Sequence, residues 1–430
     1  MPTSPPPARP LADLLEELEA AVRDGDSYRA ERLRTTILQR LSEETEDLAA
    51  IERRVLELTA DLDALGAGDP SRSPLGLDVP LERLPRTRGA ETRSPSADAD
   101  IEPDRIYPVW FGTNRKPAGS AGFSAERHDR ITRGRVDVHV PEAHRFGETG
   151  TSLWRRLLRL DLRDDRLRVQ RIETEERDRF FAEIREAMDA AARENRRPPH
   201  ALFFLHGYNV SFEDAAIRAA QLACDLAVTG VTAFFSWPSR GSVVQYPADE
   251  ASIEASERAI TDFLIDFADH CGAEKLHVIA HSMGNRGLLR ALQRIASNAE
   301  ARGRVRFGQI FLAAPDVDRD LFLDLAELYP QHAEKTTLYA SRRDLAVHLS
   351  SKVHDAPRAG YFTPYTVAPS IDTIAVPNFN VDLLGHSYFA QAEAMLHDMF
   401  DLLRHGEPPQ MRQRLEPLRA EGQSLWRVKR

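Results

Sequence analysis

The sequence describes a doubly wound α/β domain with a mostly parallel sheet, preceded by a separate helical hairpin or coiled coil. Three observations carry this expectation. From residue 201 onward, short and continuously apolar runs alternate with amphipathic helical segments, the pattern of strands covered on both faces. One run, Lys275–Ala280, leads through a tight turn holding Ser282 into a helical pattern of Leu288, Leu289, Leu292 and Ile295. The opening 68 residues instead repeat apolar side chains three and four apart.

Residues 1–10 are proline-rich. Leu11, Leu14, Leu15, Leu18 and Val22 then mark a helix that stops at Gly25. A second, longer helix carries Leu33, Ile37 and Leu41, then a heptad seam of Leu48, Ile51, Val55, Leu58, Leu62 and Leu65. Gly66-Ala67-Gly68-Asp69-Pro70 ends it. So narrow a seam must bury itself, either on its own α/β domain or by self-association or partner binding through residues 11–65. Residues 69–104, rich in Pro, Ser, Arg, Asp and Gly, lack periodicity and read as a disordered linker.

Strands are expected at 106–111 and 134–140, then at 153–162 and 167–172 around the turn Arg163-Asp164-Asp165-Arg166. These antiparallel pieces would form one edge of the sheet. A helix at about 175–194 presents Phe180, Phe181, Ile184 and Met188 on one face. The parallel strands follow at 201–205, 232–237, 275–280, 309–314, 335–340 and 371–376. Helices are expected at about 248–270, 320–328 and 388–404. The organisation is thus 1–68 helical, 69–104 linker, 105–405 α/β domain and 406–430 C-terminal tail.

Composition narrows the function. An apolar content of 42% suffices for a core, and 57 basic against 67 acidic residues give a net charge of −10, which favours neither nucleic acid nor a membrane surface. No run of about 18 apolar residues could cross a bilayer. The opening residues lack the basic start and apolar core of a signal peptide, so a cytoplasmic location is expected. Cys224 and Cys271, the two cysteines, read as reduced thiols. The histidines lie singly, without the close spacing of a zinc site, so neither a metal nor a cofactor is expected.

Ligands bind at the carboxyl ends of parallel strands, so the residues there are the candidates. Ala280-His281-Ser282-Met283-Gly284 has small residues two positions before and after the serine, as a nucleophile elbow requires. A serine needs a base, and the base needs an acid to hold its tautomer. Asp344 and His386 each fall past a later strand end, in the chain order Ser, Asp, His that such sheets use. Asp316 competes for the acid's role; with Asp318 it could equally cap the next helix. The backbone N–H groups of Met283 and Tyr208 are the candidate oxyanion donors, Gly207 allowing close approach. His206, Gly207, Trp237 and Tyr246 are candidate pocket residues, as are Tyr208 and Tyr361. A phosphate site at Gly207 is a weaker alternative, because a lone His-Gly lacks a phosphate cradle's further glycines and lysine.

Together, Phe203-Phe204-Leu205-His206-Gly207-Tyr208-Asn209, Phe235-Ser236-Trp237-Pro238-Ser239 with Tyr246 and Asp249, and the Ser282 and Asp344 segments resemble the α/β-hydrolase superfamily. More narrowly, the chain is similar to uncharacterised bacterial lipase/esterase-like hydrolases of the domain-of-unknown-function type. Trp110-Phe111-Gly112-Thr113-Asn114-Arg115 and Val138–His144 extend the likeness, which covers about residues 106–405. Ala280 departs from the usual first glycine but is small enough for the turn. The resemblance implies a serine esterase with an acyl-enzyme intermediate and a small-molecule acyl ester as substrate. Amidase, peptidase or acyltransferase chemistry, or an interaction module recruited through the amino-terminal helices, are the alternatives.

Overall fold

The computed structural model describes Glu17, Leu33 and residues 105–119, 122–141, 144, 167–195, 198–240, 246–341, 356–361, 363–376 and 389–429. The chain divides into two units, Met1–Glu102 with Thr151–Arg163 and Pro103–Gly150 with Asp164–Arg430. Of the first unit, Glu17 and Leu33 are described, and both are helical. The remainder of the expected hairpin or coiled coil, the linker and the strand at 153–162 lie outside the described residues.

The second unit is built on one sheet. Its strands are β1 (Arg105–Ala118), β2 (Gly122–Val140), β3 (Arg168–Glu175), β4 (His200–Leu205), β5 (Thr232–Ser236) and β6 (Lys275–His281), followed by β7 (Phe307–Ala313), β8 (Ala333–Ser341), β9 (Ile371–Val376), β10 (Leu415–Ala420) and β11 (Gln423–Val428). They lie in the order β10-β11-β9-β8-β7-β6-β4-β5-β1-β2-β3. Pairing is parallel from β1 through β11 across the middle. It turns antiparallel at both ends, at β1-β2-β3 and at β10-β11.

Eight helices are described: α1 (Arg177–Asn195), α2 (Phe212–Asp225), α3 (Tyr246–Ala255), α4 (Glu257–His270), α5 (Gly284–Ser297), α6 (Arg319–Leu325), α7 (Leu328–His332) and α8 (Phe389–His405). Strand β4 shows why the sheet needs them on both faces. Its side chains alternate, so Phe203 and Leu205 enter one core cluster with Phe180, Phe263 and Leu288. Leu202 and Phe204 enter the other, with Phe212, Ala216 and Met399. A continuously apolar strand is stable only when both of its faces are covered.

Three segments differ from the sequence expectation. The helix expected at 248–270 breaks at Ser256, which is buried. Its hydroxyl donates to Ser252 O (2.7 Å) and accepts from Asn114 Nδ2 (2.9 Å), tying the break to β1. The helix expected at 320–328 is the two short helices α6 and α7. Residues 406–430, read as a tail, carry the β10–β11 hairpin that extends the sheet beyond β9. Leu415 and Val428 enter the core on one face of the hairpin and Leu425 on the other. Ahead of the hairpin, Arg412 donates to both carboxylate oxygens of Asp398 on α8 (3.0 and 2.8 Å), and the Tyr339 hydroxyl of β8 donates to the same group (2.7 Å).

His277 in β6 makes stability depend on pH. Its Nδ1 accepts the Gln309 N–H (3.0 Å) and its Nε2 meets His200 Nδ1 (3.1 Å), an arrangement for a neutral ring. Burial, with His200 and Lys275 nearby, pushes its pKa down to about 3. The unfolded ring titrates near 6.5, so below that pH the unfolded chain binds a proton that the folded chain refuses. This group's stabilisation is present above about pH 6.5 and is lost as pH falls toward 3. Urea unfolding should show about 2 kcal/mol less stability at pH 5 than at pH 7 from this residue alone. The slope should be shallower in His277→Gln.

Candidate active site

Strand β6 ends at His281, and the chain then turns sharply into α5. Ser282 holds a left-handed backbone, φ 48°, which a β-carbon makes costly and which the surroundings must impose. Its N–H donates to Ala313 O (2.9 Å), while its carbonyl accepts from the N–H groups of Asn285 and Asp316 (3.1 Å each). Asn285 Nδ2 donates to the same carbonyl (3.0 Å) and to Ala280 O (3.0 Å). The Ser282 hydroxyl is buried and meets no hydrogen-bond partner among the described residues.

Glycines let three backbones converge here. A β-carbon on Gly207 would lie 3.0 Å from Ser282 Cβ and 2.9 Å from His281 Nδ1. One on Gly284 would lie 2.6 Å from both Leu205 O and His206 O. The loop after β4 is therefore pressed directly against the serine. Met283 stands at the N-terminus of α5, where N–H groups point outward and the helix dipole favours negative charge.

His206, Trp237 and Tyr246 are fully or almost fully buried, and they hold the loops rather than offer open surface. The His206 ring stacks on Trp237 with centroids 5.1 Å apart and planes 11° apart. Trp237 Nε1–H donates to His206 O (2.9 Å), and His206 Nδ1 lies 2.7 Å from Gly207 O. Burial and the Arg115 charge push the His206 pKa down to about 3, so the ring is neutral. Tyr208 packs edge-on to Tyr246, 5.4 Å between centroids. The Tyr246 hydroxyl donates to Asp316 Oδ2 (2.5 Å) and accepts from Arg286 Nη2 (2.8 Å).

Of the candidates named from sequence, the fold gathers Gly207, Tyr208, His206, Trp237, Tyr246, Ser282 and Met283 around the carboxyl ends of β4, β5 and β6. Asp344 and His386 lie outside the described residues, Asp344 beyond the end of β8 and His386 between β9 and α8. Asp316 is fully buried beside the elbow. Arg286 Nε donates to its carbonyl (2.6 Å), and Arg286 and Arg358 flank its carboxylate at 3.4 and 3.6 Å. Asp318 caps α6, accepting from Asp320 N (3.0 Å) and Leu321 N (3.1 Å).

Arg115 and Asp249, named from the sequence only as part of the family likeness, form a supporting layer. Arg115, fully buried in β1, donates to Val210 O (2.7 Å), Ser239 O (3.0 Å) and Ser236 Oγ (2.8 Å). Asp249, equally buried, accepts from Ser239 Oγ (2.6 Å), Arg240 N (2.9 Å) and Asn209 N (3.3 Å). The two charges thereby fix the loops after β4 and β5, both of them holding Ser239. Burial raises the Asp249 pKa and lowers that of Arg115 to about 10, each offset in part by the other's charge.

A group with metal-ligand chemistry lies elsewhere in the unit. The side chains of His144, Cys224 and Asp225 bring one donor atom each to within 4.8 Å of one another.

The family model described as alpha/beta hydrolase of unknown function (DUF900) matches residues 183–403, just over half of the chain. The uncharacterized protein alr1448 of Nostoc sp. is 26% identical over a region covering 28% of this chain and 43% of that protein, so the chain spans less than half the length of this relative. Among solved structures, an uncharacterized protein of Bacillus cereus is similar at a TM-score of 0.32 and 14% identity, covering 49% of this chain and 61% of that one. A fungal esterase of Rhizomucor miehei is similar at a TM-score of 0.34 and 11% identity, covering 72% and 85%.

Removing Arg115 leaves the Val210 and Ser239 carbonyls and the Ser236 hydroxyl without their buried donor, and takes away a charge that favours the ionised Asp249. Arg115→Met should lower unfolding stability by about 3–5 kcal/mol in urea titration. Arg115→Lys keeps the charge but cannot serve three acceptors in a planar fork, and should recover only part of that loss.

Proposed function

The chain belongs to this family of α/β hydrolases of unknown function, and from that premise we propose that it is a serine hydrolase acting on carboxylic esters. The observation that carries the reading is the geometry at Ser282: a left-handed elbow residue, φ 48°, whose buried hydroxyl has no partner among the described residues. A serine that merely capped α5 would accept a backbone N–H through that hydroxyl. Its position beside Gly207 and the α5 N-terminus suits a nucleophile instead.

In the proposed reaction Ser282 Oγ attacks the ester carbonyl carbon while His386 takes the hydroxyl proton. Asp344 holds the ring's tautomer and stabilises the imidazolium. The N–H groups of Tyr208 and Met283 receive the developing oxyanion. Collapse of the tetrahedral intermediate breaks the ester C–O bond, and His386 returns the proton to the departing alkoxide. Water, deprotonated by His386, then attacks the acyl-enzyme, releasing the acid and restoring Ser282. Such a triad acts without a cofactor. Ester is preferred to amide because an alkoxide leaves more readily than an amide nitrogen. Asp344 is preferred to Asp316 because the Asp316 carboxylate already accepts from Tyr246 and faces two arginines.

A fluorophosphonate probe should label the folded chain once, at Ser282, and Ser282→Ala should abolish both the adduct and turnover of short-chain acyl esters. Unchanged labelling in that variant would overturn the assignment. The acid is separable by mutation. Asp344→Asn should cost kcat by up to roughly 10⁴-fold with the fold unaltered, the scale of triad acids. Asp316→Asn should chiefly lower thermal stability. The reverse pattern would transfer the acid's role to Asp316.

A further inference from the structure

Helix α2 runs from Phe212, next to the loop that presses on Ser282, to Asp225 at the opposite end of the sheet. Its 14 residues span about 21 Å at the helical rise. At that far end, Cys224 and Asp225 meet His144 from the segment after β2. The His144 Nε2 and Asp225 Oδ1 atoms are 2.8 Å apart. Both side chains are withdrawn from solvent, 10% and 2% exposed, while Cys224 is half-buried. Gln221 Nε2 donates to the other carboxylate oxygen (2.6 Å), orienting it from one helical turn back. The remaining ring nitrogen, His144 Nδ1, is buried without a partner among the described residues.

We propose that His144, Cys224 and Asp225 form a structural binding site for a zinc-type divalent cation, remote from Ser282. The donor set decides the class of ion. Calcium and magnesium take oxygen ligands almost alone. A thiolate, an imidazole and a carboxylate converging on one point match zinc. Tetrahedral coordination with bonds of about 2.0–2.3 Å spaces its ligand atoms roughly 3.3–3.6 Å apart. The observed group fits within its 4.8 Å limit, and the His144–Asp225 pair need open by only about half an ångström. Half-buried Cys224 leaves an entry path, and water takes the fourth position. Gln221 then serves as the outer hydrogen-bond donor that fixes a ligating carboxylate.

The consequence is mechanical. The ion would clamp the segment leaving β2 onto the end of α2, whose other end supports the loop beside the nucleophile. The site and the hydrolase reading stand on different residues, so either can fail alone.

The test uses the full chain, stripped with a chelator and titrated with cobalt(II) chloride. One equivalent should produce a sulfur-to-cobalt charge-transfer band in the near ultraviolet and the visible bands of tetrahedral cobalt. Zinc chloride should bleach both. Cys224→Ser should abolish the near-ultraviolet band, whereas Cys271→Ser should retain it, and His144→Gln should weaken cobalt affinity at least roughly tenfold, as loss of one ligand does. Absence of the band in the wild-type chain overturns the proposal whatever the variants do, as does its survival in Cys224→Ser.

Discussion

The left-handed backbone at Ser282 is the constraint on which the rest of the site depends. A side chain in that conformation is strained and persists only where neighbours over-determine it. Here Ala313 O, Asp316 N and Asn285 hold the residue through its own N–H and carbonyl. Those groups come from β7, the loop after it and α5, so the elbow rests on sheet register rather than on local turn preference. The small residues around it follow from the same demand. Any side chain at Gly207 or Gly284 would meet backbone or the nucleophile within 3.0 Å.

Around this elbow the protein invests in buried charge. Arg115 and Asp249 pull on the loops after β4 and β5, and Arg286 links the Asp316 backbone with Tyr246 and Glu250. Buried ion pairs contribute little net stability, because desolvation cancels most of the attraction. What they supply is position. A loop tied by three directional bonds cannot drift, and an oxyanion site works only if its donors are fixed before the reaction. The neutral, stacked ring of His206 acts likewise: it gives the loop a rigid backing without placing a titrating charge beside the nucleophile.

The legibility of the chain tracked the range of the interactions involved. Continuous apolar runs such as 201–205 and 309–314 became β4 and β7, since their burial on both faces is written in local composition. The break at Ser256 was invisible because it answers to Asn114, far away in sequence. The hairpin at 415–428 was missed because its strands are short and half polar, and their pairing with β9 exists only in the assembled sheet. The serine elbow was readable from five residues, and Gly207 from its strand-end position. The Arg115–Asp249 support was not, because nothing local tells a buried arginine from a solvated one.

By itself, then, the sequence determined the α/β class, the alternation of strands and helices and the serine turn, all of which rest on near-neighbour pattern. Tertiary structure alone decided how tightly the Gly207 loop presses on Ser282, which charges brace it, and that His144 meets Cys224 and Asp225. The physical reason is common to all three. Periodicity records whether a side chain is buried, but the identity of its neighbour is set by strand order and helix placement, which no local stretch encodes.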